Sequence, residues 1–91
     1  MFPDYLDGAK VLEYTDRGHY GFVTYCDENG TPAKQEIICY YAIAQYENYP
    51  ESFYIFSVDD SFEVIGDGCL WTLEMCRNCI DLPEGTVWHK K

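Results

Sequence analysis

Positive charge is what this chain has least of. Six lysines and arginines stand against sixteen aspartates and glutamates, a net charge of −10 over 91 residues. A nucleic-acid binder needs cations against phosphates, so that class is excluded as a general activity. An anionic membrane surface is disfavoured for the same reason. A basic protein, by contrast, would be attracted and steered inward.

Long hydrophobic runs are missing too. No segment approaches the roughly 18 apolar residues that a bilayer span requires. The opening Met-Phe-Pro-Asp-Tyr-Leu-Asp carries acids where a secretory signal needs a basic start and an apolar run. A cytoplasmic location follows as the expectation, with cysteines kept reduced. The cysteine count, five, is odd and leaves a free thiol in any disulfide scheme.

Motifs of catalysis are absent as well. There is no Gly-x-Gly-x-x-Gly, Walker or Gly-x-Ser-x-Gly pattern. The only histidines are His19 and His89, and the only serines Ser52, Ser57 and Ser61. Neither histidine sits in a motif that supplies a nucleophile. Asp27-Glu28-Asn29-Gly30 lacks the downstream ligands of a calcium loop and reads as a turn. The chain is expected not to be an enzyme and to carry no cofactor.

What is present is aromatic and apolar. Nine tyrosines, five phenylalanines and two tryptophans in 91 residues mark a globular chain, not a disordered one. Tyrosine suits strands and interfaces, where one edge is dry and the hydroxyl is wet. The length makes one domain, residues 1–91, with a modest core.

Strand signals dominate. Ala9–Tyr14 reads as a short strand, Thr15–Gly18 as a turn and His19–Cys26 as a second strand. Asn29-Gly30 then marks a hairpin, since both central residues of a type I′ turn need positive φ. Ala33–Tyr46 is ambiguous. Thr31-Pro32 would open a helix with Ala33, Ile37, Tyr40, Tyr41 and Ala44 on one face. Ile37, Ile38, Tyr40, Tyr41 and Ile43 are strand formers, and the hairpin expects a returning strand, so strand is favoured. Ser52–Val58 is a central strand. Asp59-Asp60-Ser61 turns the chain into a fifth strand, Phe62–Gly66, and Asp67-Gly68 closes the meander.

A helix is expected over Thr72–Ile80, with Thr72 as N-cap, Glu74 in the first turn, and Pro83 and Gly85 beyond its end. Thr86–Trp88 is either a short strand or a docked tail. The fold class is therefore α+β: an antiparallel sheet, a β-meander of about five short strands, covered on one face by a single C-terminal helix.

The run Cys69–Cys79 holds three of the cysteines. Zinc needs about four ligands, and Cys76-Arg77-Asn78-Cys79 supplies two. Cys69 and His89 would have to complete the site. A redox pair would place its nucleophile at a helix N-terminus, whereas Cys76 and Cys79 fall in the middle and last turn. Leu73, Cys76 and Ile80 follow one helical stripe, with Thr72, Met75 and Cys79 beside it, so the spacing reads first as a face packed on the sheet.

The distribution of charge carries more information than its sum. From Gln35 to Cys76 there is no lysine or arginine, and eight acids: Glu36, Glu47, Glu51, Asp59, Asp60, Glu63, Asp67 and Glu74. Aromatics interleave with them. Tyr46, Glu47, Tyr49, Glu51, Asp59, Asp60, Glu63 and Asp67 form the candidate partner-binding set, with tyrosines as anchors and carboxylates for steering. The turns near Glu47–Glu51 and Asp59–Asp60 are expected at opposite sheet ends.

Ala42–Lys91 resembles the C-terminal half of small uncharacterised bacterial cytosolic proteins. The matching residues are Phe53–Phe56, Asp59, Glu63–Asp67, Thr72–Ile80 and Trp88. Cys76 and Cys79 depart from the pattern, which has alanine or acidic helix residues there. Small acidic proteins of this type are also similar to immunity proteins of bacterial toxin systems. That resemblance implies inhibition of a basic toxin, often a nuclease, by binding. The first reading is thus a non-catalytic acidic protein-binding domain. The alternatives are a small metal-binding or regulatory module on Cys69, Cys76, Cys79 and His89, and a self-associating domain that pairs through an exposed strand edge.

Overall fold

The structure, a computed structural model, describes residues 1–91. Its elements run β1 (Tyr5–Leu6), β2 (Ala9–Tyr14), β3 (Phe22–Cys26), β4 (Pro32–Ile37), β5 (Tyr40–Gln45), β6 (Phe53–Val58), β7 (Val64–Leu70), α1 (Leu73–Asn78) and β8 (His89–Lys90). All pairings are antiparallel. The main sheet has the order β1-β2-β5-β6-β7, with β8 also on β2, and β3-β4 form a separate two-stranded sheet. The α+β class, the antiparallel sheet and the single C-terminal helix packed on it are as the sequence predicts. The simple five-strand meander is not: only β5-β6-β7 is one, and a hairpin is inserted between β2 and β5.

The ambiguous stretch is strand on both sides of a switch. Ile38 exchanges hydrogen bonds with Tyr20 and Gly21, whereas the next residue, Cys39, donates to Val58 O at 2.8 Å. One run of strand formers therefore serves two sheets in turn, changing partner at Ile38–Cys39. The expected second strand starts late, at Phe22, because Gly21 has φ +137° and breaks the extension. The expected fifth strand runs on to Leu70, so Asp67 and Gly68 lie inside it and turn nothing.

The turns also differ. At Asp27–Thr31 only Gly30 has positive φ, so Asn29-Gly30 is not a type I′ turn. Asp27 Oδ1 accepts the amides of Asn29 and Thr31 at 2.9 and 3.0 Å. The β6–β7 turn repeats this geometry, with Asp59 Oδ1 accepting from Ser61 and Glu63, both at 2.9 Å. There Phe62, at φ +62°, occupies the left-handed place that Gly30 fills in its twin. A phenylalanine resists that conformation, and tertiary packing must hold it. The type I′ signature belongs to Asp7-Gly8, at φ +48° and +81°, which joins β1 to β2.

Two clusters fill the two faces of the sheet. On one, Ala9, Val11, Ala42, Ala44, Phe56 and Val58 are capped by Leu6 and Phe2. The alanines leave room for large rings. Phe2 stacks on Tyr14 at 4.6 Å and meets Tyr40 and Phe62 edge-on at 5.3 and 5.4 Å. These rings are what pin Phe62. On the other face Ile43 and Ile55 pack against Cys76 of α1, with Leu73, Ile80, Leu70, Phe53 and Trp88 around them. The Leu73, Cys76 and Ile80 stripe is thus the buried helix face. Thr72, Met75 and Cys79 point outward instead.

The helix is shorter than its expected span. Thr72 Oγ1 accepts the Met75 amide at 3.0 Å, as an N-cap should. The last helical residue is Asn78, with Cys79 as C-cap, well before Pro83. The tail beyond it does dock, as β8 on β2, one residue past the expected Thr86–Trp88.

A bulge in β2 ties the two faces together. Val11 lies opposite Ala44 and Glu13 opposite Ile43, so Leu12 is an extra residue in the ladder. Directly opposed residues share a face. The bulge therefore moves Glu13 off the aromatic face and onto the helix side. There Arg77 donates through Nε to Oε1 at 2.9 Å and through Nη2 to Oε2. Glu13 is the one buried charge in the protein, 3% exposed. The planar guanidinium satisfies both its oxygens.

Arg77→Ala leaves that carboxylate buried without a partner. It is expected to lower the melting temperature by roughly 5–10 °C, tempered because Arg77 is itself partly open to water. The double replacement Glu13→Leu with Arg77→Met removes both charges and is expected to recover most of the loss. Thermal melts of the single and double variants measure this coupling.

Candidate functional site

The structure divides the eight sequence-predicted residues among three places. Tyr46, Glu47, Tyr49 and Glu51 lie in the β5–β6 loop. Asp59, Asp60 and Glu63 lie in the β6–β7 turn, at the other end of β6. Six strand residues separate the two groups by about 20 Å. Asp67 sits between them, exposed on β7 opposite Phe56.

The first group belongs to a braced loop. Gln45 Nε2 donates to Pro50 O at 2.7 Å, Tyr49 N to Tyr46 O at 3.1 Å and Ser52 N to Tyr49 O at 3.2 Å. Tyr46 is half-buried, edge-on to Tyr54 at 5.1 Å. Its ring faces Gly8, where a Cβ would lie 3.9 Å away. Between the β1–β2 turn and this loop runs an open groove of about 370 Å³, edged by Tyr5, Gly8, Lys10, Gln45, Tyr46, Glu47 and Pro50.

The same sheet end gathers residues that the sequence reading did not assign. Asp7 comes from the β1–β2 turn, Tyr5 from β1 and Trp71 from the end of β7. Tyr5, Tyr49 and Trp71 are 62%, 56% and 71% exposed. Asp7, Glu47 and Glu51 are exposed, and none of them is in an ion pair. The signal for Asp7 was in the sequence, since Asp-Gly is a hairpin dipeptide. Trp71 had no local signal, because its place depends on where β7 ends.

The second group is electrically quieter. Arg17 Nε meets Asp60 Oδ1 at 2.6 Å. This guanidinium holds the Asp60 carboxyl below its ordinary range. Asp59 spends its Oδ1 on the turn amides. A shallow groove of about 370 Å³ runs here beside Arg17, Gln35, Glu36, Asp59 and Asp60. It carries both signs of charge, as the first does through Lys10 and Glu47.

The cysteines do not converge on a metal site. No group of three or more His, Cys, Asp or Glu side chains is arranged to hold an ion. Cys76 is fully buried under α1, and burial pushes its thiol up to about 11. Cys79 Sγ lies 3.2 Å from the Cys76 carbonyl. Cys69 is on β7, while His89 is on β8, across the sheet beyond β6, β5 and β2. His89 Nε2 is 2.9 Å from Asp16 Oδ1, and its ring lies 5.4 Å from that of Tyr14. His19 packs edge-on to Phe22 at 5.4 Å.

No helix is long and apolar enough to cross a membrane. Comparison with protein-family models, with curated proteins and with solved structures found no match for this chain.

Two measurements follow from these environments. A thiol reagent at neutral pH is expected to label the exposed Cys26 and Cys69 quickly, Cys79 more slowly because burial raises its thiol pKa, and Cys39 and Cys76 only in denaturant. Mass spectrometry of the labelled peptides reads the pattern. In a carboxyl NMR titration Asp60 is expected to ionise below the usual aspartate range. Its pKa should rise back to that range in Arg17→Ala. Because the folded pKa is depressed, any stability from this pair is present above the unfolded aspartate pKa and is lost as pH falls through the folded one.

Proposed function

We propose that the chain is a non-catalytic binding module for a basic protein, an immunity-like inhibitor that occludes a cationic surface such as that of a nuclease toxin. The observation that carries this reading is the composition of one sheet end. Three unpaired carboxylates, Asp7, Glu47 and Glu51, stand among three exposed aromatics, Tyr5, Tyr49 and Trp71. Isolated surface acids serve solubility, and isolated tyrosines pack sheets. Their combination at one sheet end supplies steering charge and rigid contact area together.

The mechanism is occlusion. Carboxylates spaced along the loop stand in for the phosphates that a nuclease surface normally attracts. The aromatics then exclude water and slow dissociation. Encounter is fast because the whole chain is negative, and it weakens as salt screens the field. The β6–β7 turn contributes less, since Arg17 already neutralises Asp60.

The test uses matched baits. Wild type, Glu47→Gln/Glu51→Gln and Tyr49→Ala are immobilised and exposed to lysate at low and at high salt. A basic protein held by wild type at low salt, and lost in the variants, supports the reading. With that protein in hand, Glu47→Gln/Glu51→Gln is expected to slow association about tenfold at low salt. Asp60→Asn is expected to change it little. Retention of the same proteins by all three baits would overturn the proposal.

A further inference from the structure

Tyr5, Lys10 and Gln45 form a row across three strands. Tyr5 lies opposite Lys10 in the β1–β2 ladder, and Lys10 lies opposite Gln45 in the β2–β5 ladder. Directly opposed residues share a face, so a phenol, an ammonium and an amide stand side by side. Ala9 and Val11, the neighbours of Lys10 in β2, are buried among the aromatic rings, which puts the row on the other face of the sheet. All three residues line the groove between the β1–β2 turn and the β5–β6 loop, and the loop adds Tyr46, Glu47 and Pro50.

The protein leaves the charges of this groove unmatched. Arg17 is paired with Asp60, Lys34 with Glu36, Arg77 with Glu13 and Lys91 with Asp4. Of the six lysines and arginines only Lys10 and Lys90 have no acid within ion-pair distance. Glu47 has no base. An unpaired ammonium and an unpaired carboxylate therefore line the same groove without meeting each other.

Gln45 sits between the two charges. It faces Lys10 across the ladder and precedes Glu47 by two residues. Its Nε2 donates to Pro50 O at 2.7 Å, which fixes the amide and leaves Oε1 to accept. Tyr5 and Lys10 thus offer donors on one side, while Gln45 Oε1 and Glu47 offer acceptors on the other.

A simple cation entering here meets Lys10, and a simple anion meets Glu47. A zwitterion satisfies both. The carboxylate of an α-amino acid takes the Lys10 ammonium and the Tyr5 hydroxyl, and its ammonium takes Glu47 and Gln45 Oε1. The volume of about 370 Å³ lies within the range of small-molecule sites, roughly 300–1,000 Å³. The rings of Tyr5, Tyr46 and Pro50 give apolar walls, which suit a flat aromatic side chain.

We propose that this groove binds a free α-amino acid with an aromatic side chain, held as a zwitterion between Lys10 and Glu47. The groove is open to water, so the affinity is low, with a dissociation constant on the order of 1 mM. The site does not rest on the protein-binding reading, which makes no use of Lys10.

An NMR titration of the isotope-labelled full chain tests it. L-phenylalanine is the probe, read at the amides of Gly8, Lys10, Gln45 and Glu47. Phenethylamine, which lacks the carboxylate, and 3-phenylpropanoate, which lacks the ammonium, are the comparison probes. They also stand for the two termini of a polypeptide, each of which carries one backbone charge. L-phenylalanine is expected to give saturable shifts at these amides. Each single-charge probe is expected to bind at least about tenfold more weakly, the loss of one charge-assisted hydrogen bond. Lys10→Gln is expected to bind L-phenylalanine no better than phenethylamine, and Glu47→Gln no better than 3-phenylpropanoate. Both side chains are exposed, and the spectrum of each variant reports directly that the fold is kept. Shifts that do not saturate by about 20 mM L-phenylalanine, or that fall elsewhere in the chain, would overturn the proposal. So would equal binding of either single-charge probe, or variants that keep the wild-type order of affinities. Lys10→Gln leaves Tyr49, Glu47 and Glu51 in place, so capture of a basic protein succeeds or fails independently of this result.

Discussion

The buried ion pair between Glu13 and Arg77 sets conditions on most of the fold. A carboxylate taken out of water is tolerated only with its charge matched and its oxygens satisfied. Meeting that condition requires the bulge at Leu12, which turns Glu13 toward the helix. It requires α1 to lie across β5, β6 and β7 in one orientation, because a guanidinium fork has one good approach. The apolar contacts of Leu73, Cys76 and Ile80 are slippery by comparison. Hydrophobic burial brings the helix down on the sheet, and the ion pair fixes where it stops.

With the centre held, the two ends of the sheet are free to differ. One end collects acids and aromatics from three separate stretches of chain. The other spends its acids on itself, Asp59 on turn amides and Asp60 on Arg17. An even spread of eight acids along the sequence thus becomes an uneven field in space. The hairpin arm borders the second end, where Gln35 and Glu36 of β4 line the groove beside Arg17, Asp59 and Asp60.

The strands were legible because Val, Ile, Tyr and Phe cluster between turn residues, and the helix because Thr72 and the Leu73-Cys76-Ile80 stripe agree. What the sequence hid was partnership. Nothing local says that the run through Ile38–Cys39 pairs with β3 before the switch and with β6 after it. A left-handed Phe62 is also illegible, since only the rings of Phe2 and Tyr40 make it tolerable. Asp7-Gly8 was legible and outshone by Asn29-Gly30, whose turn took a different form. Half of the candidate site, Tyr46 to Glu51, could be named from the sequence. Tyr5 and Trp71 could not, because they join it only through the order of strands.

The ion pair has one more consequence, for the order in which the chain is made. Glu13 leaves the ribosome 64 residues ahead of Arg77. Until the helix follows, the strand carrying Glu13 cannot be sealed on its helix side without stranding a charge. β5, its neighbour in the sheet, also arrives only after the hairpin arm has been spelled out. A fragment that ends before Arg77 has no partner for that carboxylate, so the helix face of the sheet is the part expected to close last.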